Sequence, residues 1–191
     1  FFLMLVFSIP IMMKVEDILF WWLKTPPEYT GIFVQYTMVF NLIQSLAGPL
    51  LTSSLATGNV KKVMLYIAAL FWLIIPLGYI FLKLGGSPIV IFQIQLCLYI
   101  GAHLLRIYIV CKQIKLSINR YIIDVLVPVL KVLLISFVVS HLISYLFSQS
   151  FLSLFVYAMT SIVMTIGIIF LFGLRGEEKM FVVNYIKNKI L

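Results

Sequence analysis

Long apolar runs with few charges are the feature that most constrains the fold of this chain. Six runs can be marked, each bounded by turn-forming or charged residues: Phe1 to about Leu23, Gly31 to Leu55, Val63 to Leu84, Ile89 to Cys111, Ile122 to Phe147 and Phe151 to Leu174. A helix of about 20 residues crosses about 30 Å of hydrocarbon, and the runs lack the period of two typical of barrel strands. The pattern therefore predicts an all-α, polytopic membrane protein with six transmembrane helices.

Composition argues against a soluble domain. Apolar residues make up 63% of the 191, charged residues 10%, and the mean hydropathy is +1.16. Soluble domains are about half apolar and about a quarter charged. Because the sequence opens at Phe1 inside an apolar run, without an initiator methionine, we expect it to be a piece of a longer protein.

Turn-forming residues separate the runs. They include Thr25-Pro26-Pro27-Glu28, Thr57-Gly58-Asn59, Gly85-Gly86-Ser87-Pro88 and Ser148-Gln149-Ser150. Glycine and proline at these positions end helices and form tight turns. Such short connections predict that consecutive helices are antiparallel neighbours.

Basic residues collect in the loops that alternate helices place on one side of the membrane. Ten cations fall in that group and two, Lys24 and Lys83, in the other; the ten are Lys61, Lys62, Arg106, Lys112, Lys115, Arg120, Arg175, Lys179, Lys187 and Lys189. The positive-inside rule assigns the first group to the cytoplasm, and the carboxyl terminus with it. The net charge of +8 then indicates contact with anionic membrane lipids rather than nucleic acid.

The segment 175–191 differs from the apolar runs. Glu177 and Glu178 begin it, basic residues end it, and apolar side chains lie between. Acid at the start and base at the end suit a helix dipole, and the mixture is typical of a helix on a membrane surface. We predict a transmembrane domain over 1–174 and a cytoplasmic amphipathic tail over 175–191.

Residue patterns typical of catalysis are missing from the sequence. Cys97 and Cys111 are fourteen residues apart on one predicted helix, about 21 Å and too far for a disulfide. His103 and His141 fall at opposite sides of the membrane in this arrangement, and no catalytic triad, phosphate loop or paired carboxylates are found. The sequence predicts neither an enzyme nor a bound cofactor.

Polar residues recur along one face of two predicted spans. In the second span they are Thr37, Asn41, Gln44 or Ser45, Gly48 and Thr52; in the fourth they are Gln95, Tyr99, His103 or Ala102, and Arg106. At that depth polar groups face protein or water rather than lipid, so these faces either pack against other helices or line a cavity. Arg106 is either a snorkelling anchor at the interface or a substrate contact.

Lys131 lies about ten residues into the fifth predicted span. A lysine at that depth needs water or a partner. Asp124, seven residues earlier, falls on the same face of a regular helix, and Pro128 between them is expected to bend the helix. Lys131 either snorkels toward Asp124 or lines a central cavity that receives an anionic substrate.

Several segments together carry a family resemblance. Residues 19–30 read LFWWLKTPPEYT, which resembles the LWLG-x-x-PEYT segment of Wzx-type bacterial polysaccharide flippases, although FWWLK stands where that family often has LWLG. Further similar segments follow in order: Leu46 to Leu50, Ala56 to Lys62, Pro76 to Tyr79, Leu82 to Gly85, Leu105-Arg106, Gly176 to Lys179 and Lys187 to Lys189. The chain is thus similar to the multidrug/oligosaccharidyl-lipid/polysaccharide exporter superfamily over nearly its whole length.

The resemblance implies a fold and a function. Such proteins have two six-helix lobes around a central cavity, with both termini cytoplasmic, and this chain resembles the second lobe. They move undecaprenyl-diphosphate-linked oligosaccharides across the bacterial inner membrane by alternating access, usually coupled to a proton or sodium gradient. The expected partners are the lipid-linked oligosaccharide, membrane lipids and an amino-terminal lobe. Candidate cavity residues are Lys131, Arg106, Asn41, Gln44 and Asp124.

Three other functions are compatible with a helical membrane chain. One is another exporter of the superfamily, such as a multidrug exporter or a peptidoglycan-precursor flippase. A second is a membrane enzyme of surface-polysaccharide assembly, although its usual large outer loop or catalytic cluster is missing here. A third is a complete six-helix channel, which the missing initiator methionine argues against.

Overall fold

The computed structural model describes residues 1–147, 150–174, 176–181 and 184. Its described residues are helical or lie in short turns, with no β-strand among them. The helices are α1 (Phe2–Met13), α2 (Val15–Leu23), α3 (Thr30–Ala56), α4 (Val60–Trp72), α5 (Ile74–Lys83), α6 (Ile89–Gln113), α7 (Ile118–Tyr121), α8 (Val127–Ser144) and α9 (Phe151–Ile168). Two π-helical turns, Ile122–Leu126 and Ile169–Gly173, follow α7 and α9.

Five helical stretches of the described chain are long and apolar enough to cross a membrane. They are Thr30–Ala56, Val60–Lys83, Ile89–Gln113, Ile118–Ser144 and Phe151–Gly173. They coincide with the second to sixth spans predicted from the sequence. Each has 23 to 27 residues, and at 1.5 Å rise per residue such a helix is longer than the hydrocarbon core is thick. The prediction of an all-helical chain with apolar spans is confirmed to this extent.

The first predicted span is divided into two helices. α1 has 12 residues and α2 has 9, and the helix is interrupted at Lys14. Pro10 lies inside α1 and has no N–H to donate to the preceding turn. Glu16 and Asp17 then occupy the first turn of α2, where negative charge favours a new helix start. Neither helix alone is long enough to cross a bilayer.

Turns between the described helices are found at the positions predicted from glycine and proline. α5 ends in a Schellman turn, in which Gly86 N–H donates to Phe81 O at 3.0 Å and Gly85 N–H to Leu82 O at 3.0 Å. Gly85 has φ 86°, a conformation that side chains disfavour. Residues 57–59 and 24–29 likewise separate helices. In the predicted turn 148–150, residues 148 and 149 lie outside the described part of the chain.

The described chain divides into two compact units by its contacts. Unit 1 contains Phe1 and Val15–Ile123, and unit 2 contains Phe2–Lys14 and Asp124–Leu191. The two boundaries within the chain fall at irregular helix positions, the break at Lys14 and the π turn Ile122–Leu126. Each unit has its own buried side chains.

Unit 1 is organised around α3 and α6, which run parallel. Phe33 stacks on Phe92 at 4.4 Å between ring centroids, Phe40 on Tyr99 at 5.1 Å, and Ser54 Oγ donates to Gln113 Oε1 at 3.0 Å. Each pair has the same separation in sequence, 59 residues, so the helices keep one register along their length. α4 and α5 run in the opposite direction and connect the end of α3 to the start of α6. This agrees with the antiparallel neighbours that the short turns predict.

Unit 2 joins α1 to α8 and α9. α8 and α9 are antiparallel, with a bond of 2.9 Å between the Ser140 and Ser161 hydroxyls and one of 3.3 Å from Tyr157 Oη to Ser140 O. Tyr157, Ser161 and Thr165 are fully buried. The polar face of the last span therefore packs inside unit 2.

The predicted amphipathic tail is described in part. Residues 176–181 and 184 are helical, and the rest of the segment 175–191 lies outside the described residues. Lys179 Nζ donates to Leu171 O at 2.8 Å, so a basic side chain accompanies the end of the last span, as suits the negative end of a helix. The division into domains 1–174 and 175–191 stays a prediction.

Candidate functional site

Arg106 and His103 form a buried polar pair on α6. They are 6% and 7% exposed, on the same helix face as buried Ala102, Ile107 and Val110. The i, i+3 spacing places the two side chains side by side. Nε of Arg106 and both ring nitrogens of His103 have no hydrogen-bond partner among the described residues. The pair is therefore polar, buried and unsatisfied within the described chain.

A guanidinium with a buried nitrogen that has no hydrogen-bond partner is energetically costly. Arginine stays protonated in proteins, and the effective cost of burying an ion without a partner is several kcal/mol. The Arg106 side chain as a whole is only 6% exposed, which is less than expected of a snorkelling anchor with a solvated head group. An acceptor supplied from outside the described residues, such as an anion or a partner's carboxylate, removes this cost.

The polar face of α3 points away from the rest of unit 1. Thr37, Asn41, Gln44, Gly48 and Thr52 are all exposed, whereas Phe40 and Ala47 between them are buried. Thr37 and Thr52 satisfy their hydroxyls on backbone carbonyls of the preceding turn. The amides of Asn41 and Gln44 make no hydrogen bond to a described residue. These amides need water or another polar partner at membrane depth.

Lys131 is exposed near the middle of the 27-residue span Ile118–Ser144. It makes no hydrogen bond or ion pair with a described residue. Its predicted companion Asp124 is half-buried and lies in the π turn Ile122–Leu126. A π turn takes up an additional residue, so the angle between the two side chains differs from that given by a seven-residue spacing in a regular helix. Pro128 lies two residues after this turn, at the start of α8, which accounts for the irregularity expected there.

The candidate residues belong to two different units. Arg106, Asn41 and Gln44 lie in unit 1, and Asp124 and Lys131 in unit 2. Within unit 1 the register of 59 residues places Gln44 at the level of His103 and Ala47 at the level of Arg106. Gln44 nevertheless faces outward while His103 is buried. The structure therefore brings Arg106 together with His103, and not with the amides of α3.

His103 is the residue that sequence reasoning left out of the candidate site. The signal was present, because His103 and Arg106 share a helix face. The other histidine of the chain, His141, has different surroundings. It is exposed, and its Nε2 lies 3.0 Å from Tyr145 Oη. Burial and missing partners, rather than residue type, distinguish the two histidines.

The cysteines are both free. Cys111 is buried, as expected of a small apolar side chain, whereas Cys97 is exposed and lines a shallow apolar groove of about 320 Å³ with residues of α5 and α6. Cys97 is exposed because its position on α6 turns it away from α3.

Comparison with known proteins provides no relative, since no protein-family model, no curated protein and no solved structure matches this chain.

Proposed function

We propose that this chain is one lobe of a transporter that flips undecaprenyl-diphosphate-linked oligosaccharides across the bacterial inner membrane by alternating access. The observation that carries the proposal is Arg106, a buried cation in an apolar span without an anionic partner among the described residues. Guanidinium groups bind phosphate oxygens through two parallel hydrogen bonds. The resemblance of residues 19–30 and the segments after them supplies the substrate class.

The other polar groups fit the same kind of substrate. Asn41 and Gln44 offer exposed amides on α3, and amides bind sugar hydroxyls as both donors and acceptors. Lys131 offers a second cation at membrane depth, and Asp124 a carboxylate. A proton or sodium gradient is the expected source of energy, and a second six-helix lobe the expected partner.

A sixth crossing is part of the proposal. α1 and α2 follow each other with only Lys14 between them, and their 22 residues cover about 33 Å if they continue in one direction. Broken helices with polar residues at the break are common in secondary transporters. On this proposal the carboxyl terminus is cytoplasmic and the protein is a transporter rather than an enzyme.

The test is polysaccharide export in a bacterial strain that lacks its own flippase and expresses the full-length protein. We expect Arg106→Met to lower export about tenfold or more, since hydrogen bonds to charged groups contribute about 1.5–3 kcal/mol. Arg106→Lys keeps the charge but loses the paired hydrogen bonds. Its export should lie between that of Arg106→Met and that of the unchanged protein. Lys62→Met removes an exposed cation from the first turn of α4 and should export normally.

Protein stability separates a transport role from a structural one. Replacing a buried ion by an apolar side chain of similar volume is often neutral or stabilising, so Arg106→Met should keep its membrane level and melting temperature. Normal export by Arg106→Met at equal protein level would overturn the proposal. A change in drug resistance with unchanged export would instead favour a multidrug exporter.

A further inference from the structure

A groove of about 460 Å³ lies where α6 ends and α7 begins. Tyr108 and Lys112 line it from α6, Leu116 and Ser117 from the connection, and Ile118 and Asn119 from α7. All of these residues belong to unit 1. The groove is thus formed by one short stretch of chain that folds back on itself.

The backbone of the connection sets the shape of the groove. Leu116 N–H donates to Cys111 O at 2.9 Å, and Lys115 before it has φ 55°. This is the geometry of a Schellman turn, with lysine at the position where glycine is usual. Ser117 then has an extended backbone, and its side chain makes no capping bond to α7. The Ser117 hydroxyl is therefore available to a ligand.

The lining combines polar and apolar chemistry. It offers an ammonium group, a phenol, a hydroxyl and a carboxamide beside the alkyl groups of Leu116 and Ile118, and no acidic side chain lines it. A cation with neutral hydrogen-bond donors suits a phosphate. Basic pockets of this kind at the ends of membrane helices bind anionic lipid head groups.

The groove lies at the depth of the lipid head groups. It joins the last turn of the span Ile89–Gln113 to the first turn of the span Ile118–Ser144, and this holds whichever way the protein is inserted. Gln113 Nε2 also donates to Asn59 O at 3.1 Å, which brings the turn before Lys61 and Lys62 to the same end of unit 1. The surroundings of the groove are therefore basic.

An apolar track leads away from the groove along α6. Tyr108, Leu104 and Ile100 are 55%, 58% and 46% exposed. Their i, i+4 spacing places them in a line on one helix face. A head group in the groove would leave its acyl chains against this line, which runs toward the middle of the span.

We propose that this groove is a binding site for an anionic phospholipid. Lys112 Nζ binds the phosphate, the polar groups of Tyr108, Ser117 and Asn119 bind the rest of the head group, and the acyl chains lie along Leu104 and Ile100. The site does not depend on the transport proposal, because it uses none of the residues assigned to the transported substrate.

The test is lipid retention by the full-length protein in detergent, measured by native mass spectrometry with phosphatidylglycerol and phosphatidylcholine. We expect phosphatidylglycerol to bind more tightly, and Lys112→Gln to weaken it about fivefold, as expected for one lysine at an anionic surface. Lys62→Gln removes the same charge from an exposed position outside the groove and should change the affinity less than twofold.

Three results would overturn the proposal. Equal weakening by Lys112→Gln and Lys62→Gln would indicate general attraction of anions to a basic surface. Displacement of the lipid by inorganic phosphate alone would indicate a phosphate site without a role for the acyl chains. Unchanged binding in Leu104→Asn would show that the apolar track is not part of the site. Lys112→Arg keeps the positive charge and should bind the lipid as the unchanged protein does.

Discussion

At the scale of single residues, burial separates cations that look alike in the sequence. Arg106 and Lys131 both interrupt apolar spans, but Arg106 is buried beside His103 and Lys131 is exposed. Whether such a cation is buried depends on the helix face on which it lies. For Arg106, packing of α6 against α3 and α4 rather than the local sequence decides which face is buried. The polar character of both positions could be predicted, whereas their surroundings could not.

Lys115 provides a test of backbone strain at the end of α6. Its φ of 55° is unfavourable for a residue with a Cβ by about 1–2 kcal/mol. We expect Lys115→Gly to raise the free energy of unfolding by about 1 kcal/mol, since glycine adopts this conformation freely. Thermal unfolding in detergent measures the change.

The matched control for Lys115 is Lys61→Gly, which makes the same substitution in the first turn of α4. There the backbone is helical, and glycine should lower stability by up to about 1 kcal/mol. If both variants shift stability in the same direction, backbone strain at Lys115 is not the cause.

At the scale of elements, tight turns depend on glycines with no room for a side chain. A Cβ on Gly86 would lie 2.8 Å from Phe81 O, a backbone atom, whereas a Cβ on Gly48 in α3 would meet nothing within 4 Å. We expect Gly86→Ala to destabilise the chain by about 1–3 kcal/mol. Gly48→Ala should stabilise it by up to about 1 kcal/mol through helix propensity.

Thermal unfolding of the two glycine variants decides between packing and propensity. A neutral Gly86→Ala would mean that the turn between α5 and α6 adjusts freely. A destabilising Gly48→Ala would mean that another chain approaches α3 closely at this exposed position.

The contact between α8 and α9 contains two serines one turn apart with different surroundings. Ser140 shares a hydrogen bond with Ser161, whereas the Ser136 hydroxyl is buried without a partner among the described residues. We expect Ser140→Ala to cost about 0.5–1.5 kcal/mol, because a bonded pair is lost. Ser136→Ala should be neutral or stabilising, because it removes an unsatisfied buried group. A cost at Ser136 equal to that at Ser140 would point to an ordered water at Ser136.

At the scale of the whole molecule, the parallel course of α3 and α6 predicts which loops share a side of the membrane. Single cysteines at Lys62 and Lys115, in a chain without Cys97 and Cys111, should react with an impermeant thiol reagent from one side. A cysteine at Ser87 should react from the other. Reaction of all three from one side would show that α4 and α5 do not return across the bilayer.

The same labelling tests the sixth crossing. A cysteine at Thr25 should react from the Ser87 side, because α3 and α6 begin at the same end of unit 1. If α1 and α2 cross the bilayer together, a cysteine at Phe1 should react from the opposite side. Reaction of both from one side would contradict the six-helix lobe.

Most of the helical architecture could be predicted from the sequence, and the reasons are local. The lengths of the apolar runs predicted five of the spans. Glycine and proline predicted the turns between them, because these residues act on the nearby backbone. The break at Lys14 and the π turn before Pro128 were harder to place, because three charges or one proline only weaken a helix and packing decides the result. The separation of Arg106 from Lys131 into different units depends on contacts between distant residues.

The composition of unit 2 has a consequence for the order of synthesis. Lys14 at the end of α1 donates to Phe147 O, 133 residues later in the chain, and the main contacts of α1 are with α8 and α9. Unit 1 ends at Ile123, so all of its residues are synthesised while the ribosome is still producing the remaining ones. α1, with Ser8 and Pro10 among its buried residues, must meanwhile wait in the bilayer without its final contacts. Loop closure over such a distance is slow, and we expect this interval to be when a chaperone of membrane insertion would hold the nascent protein.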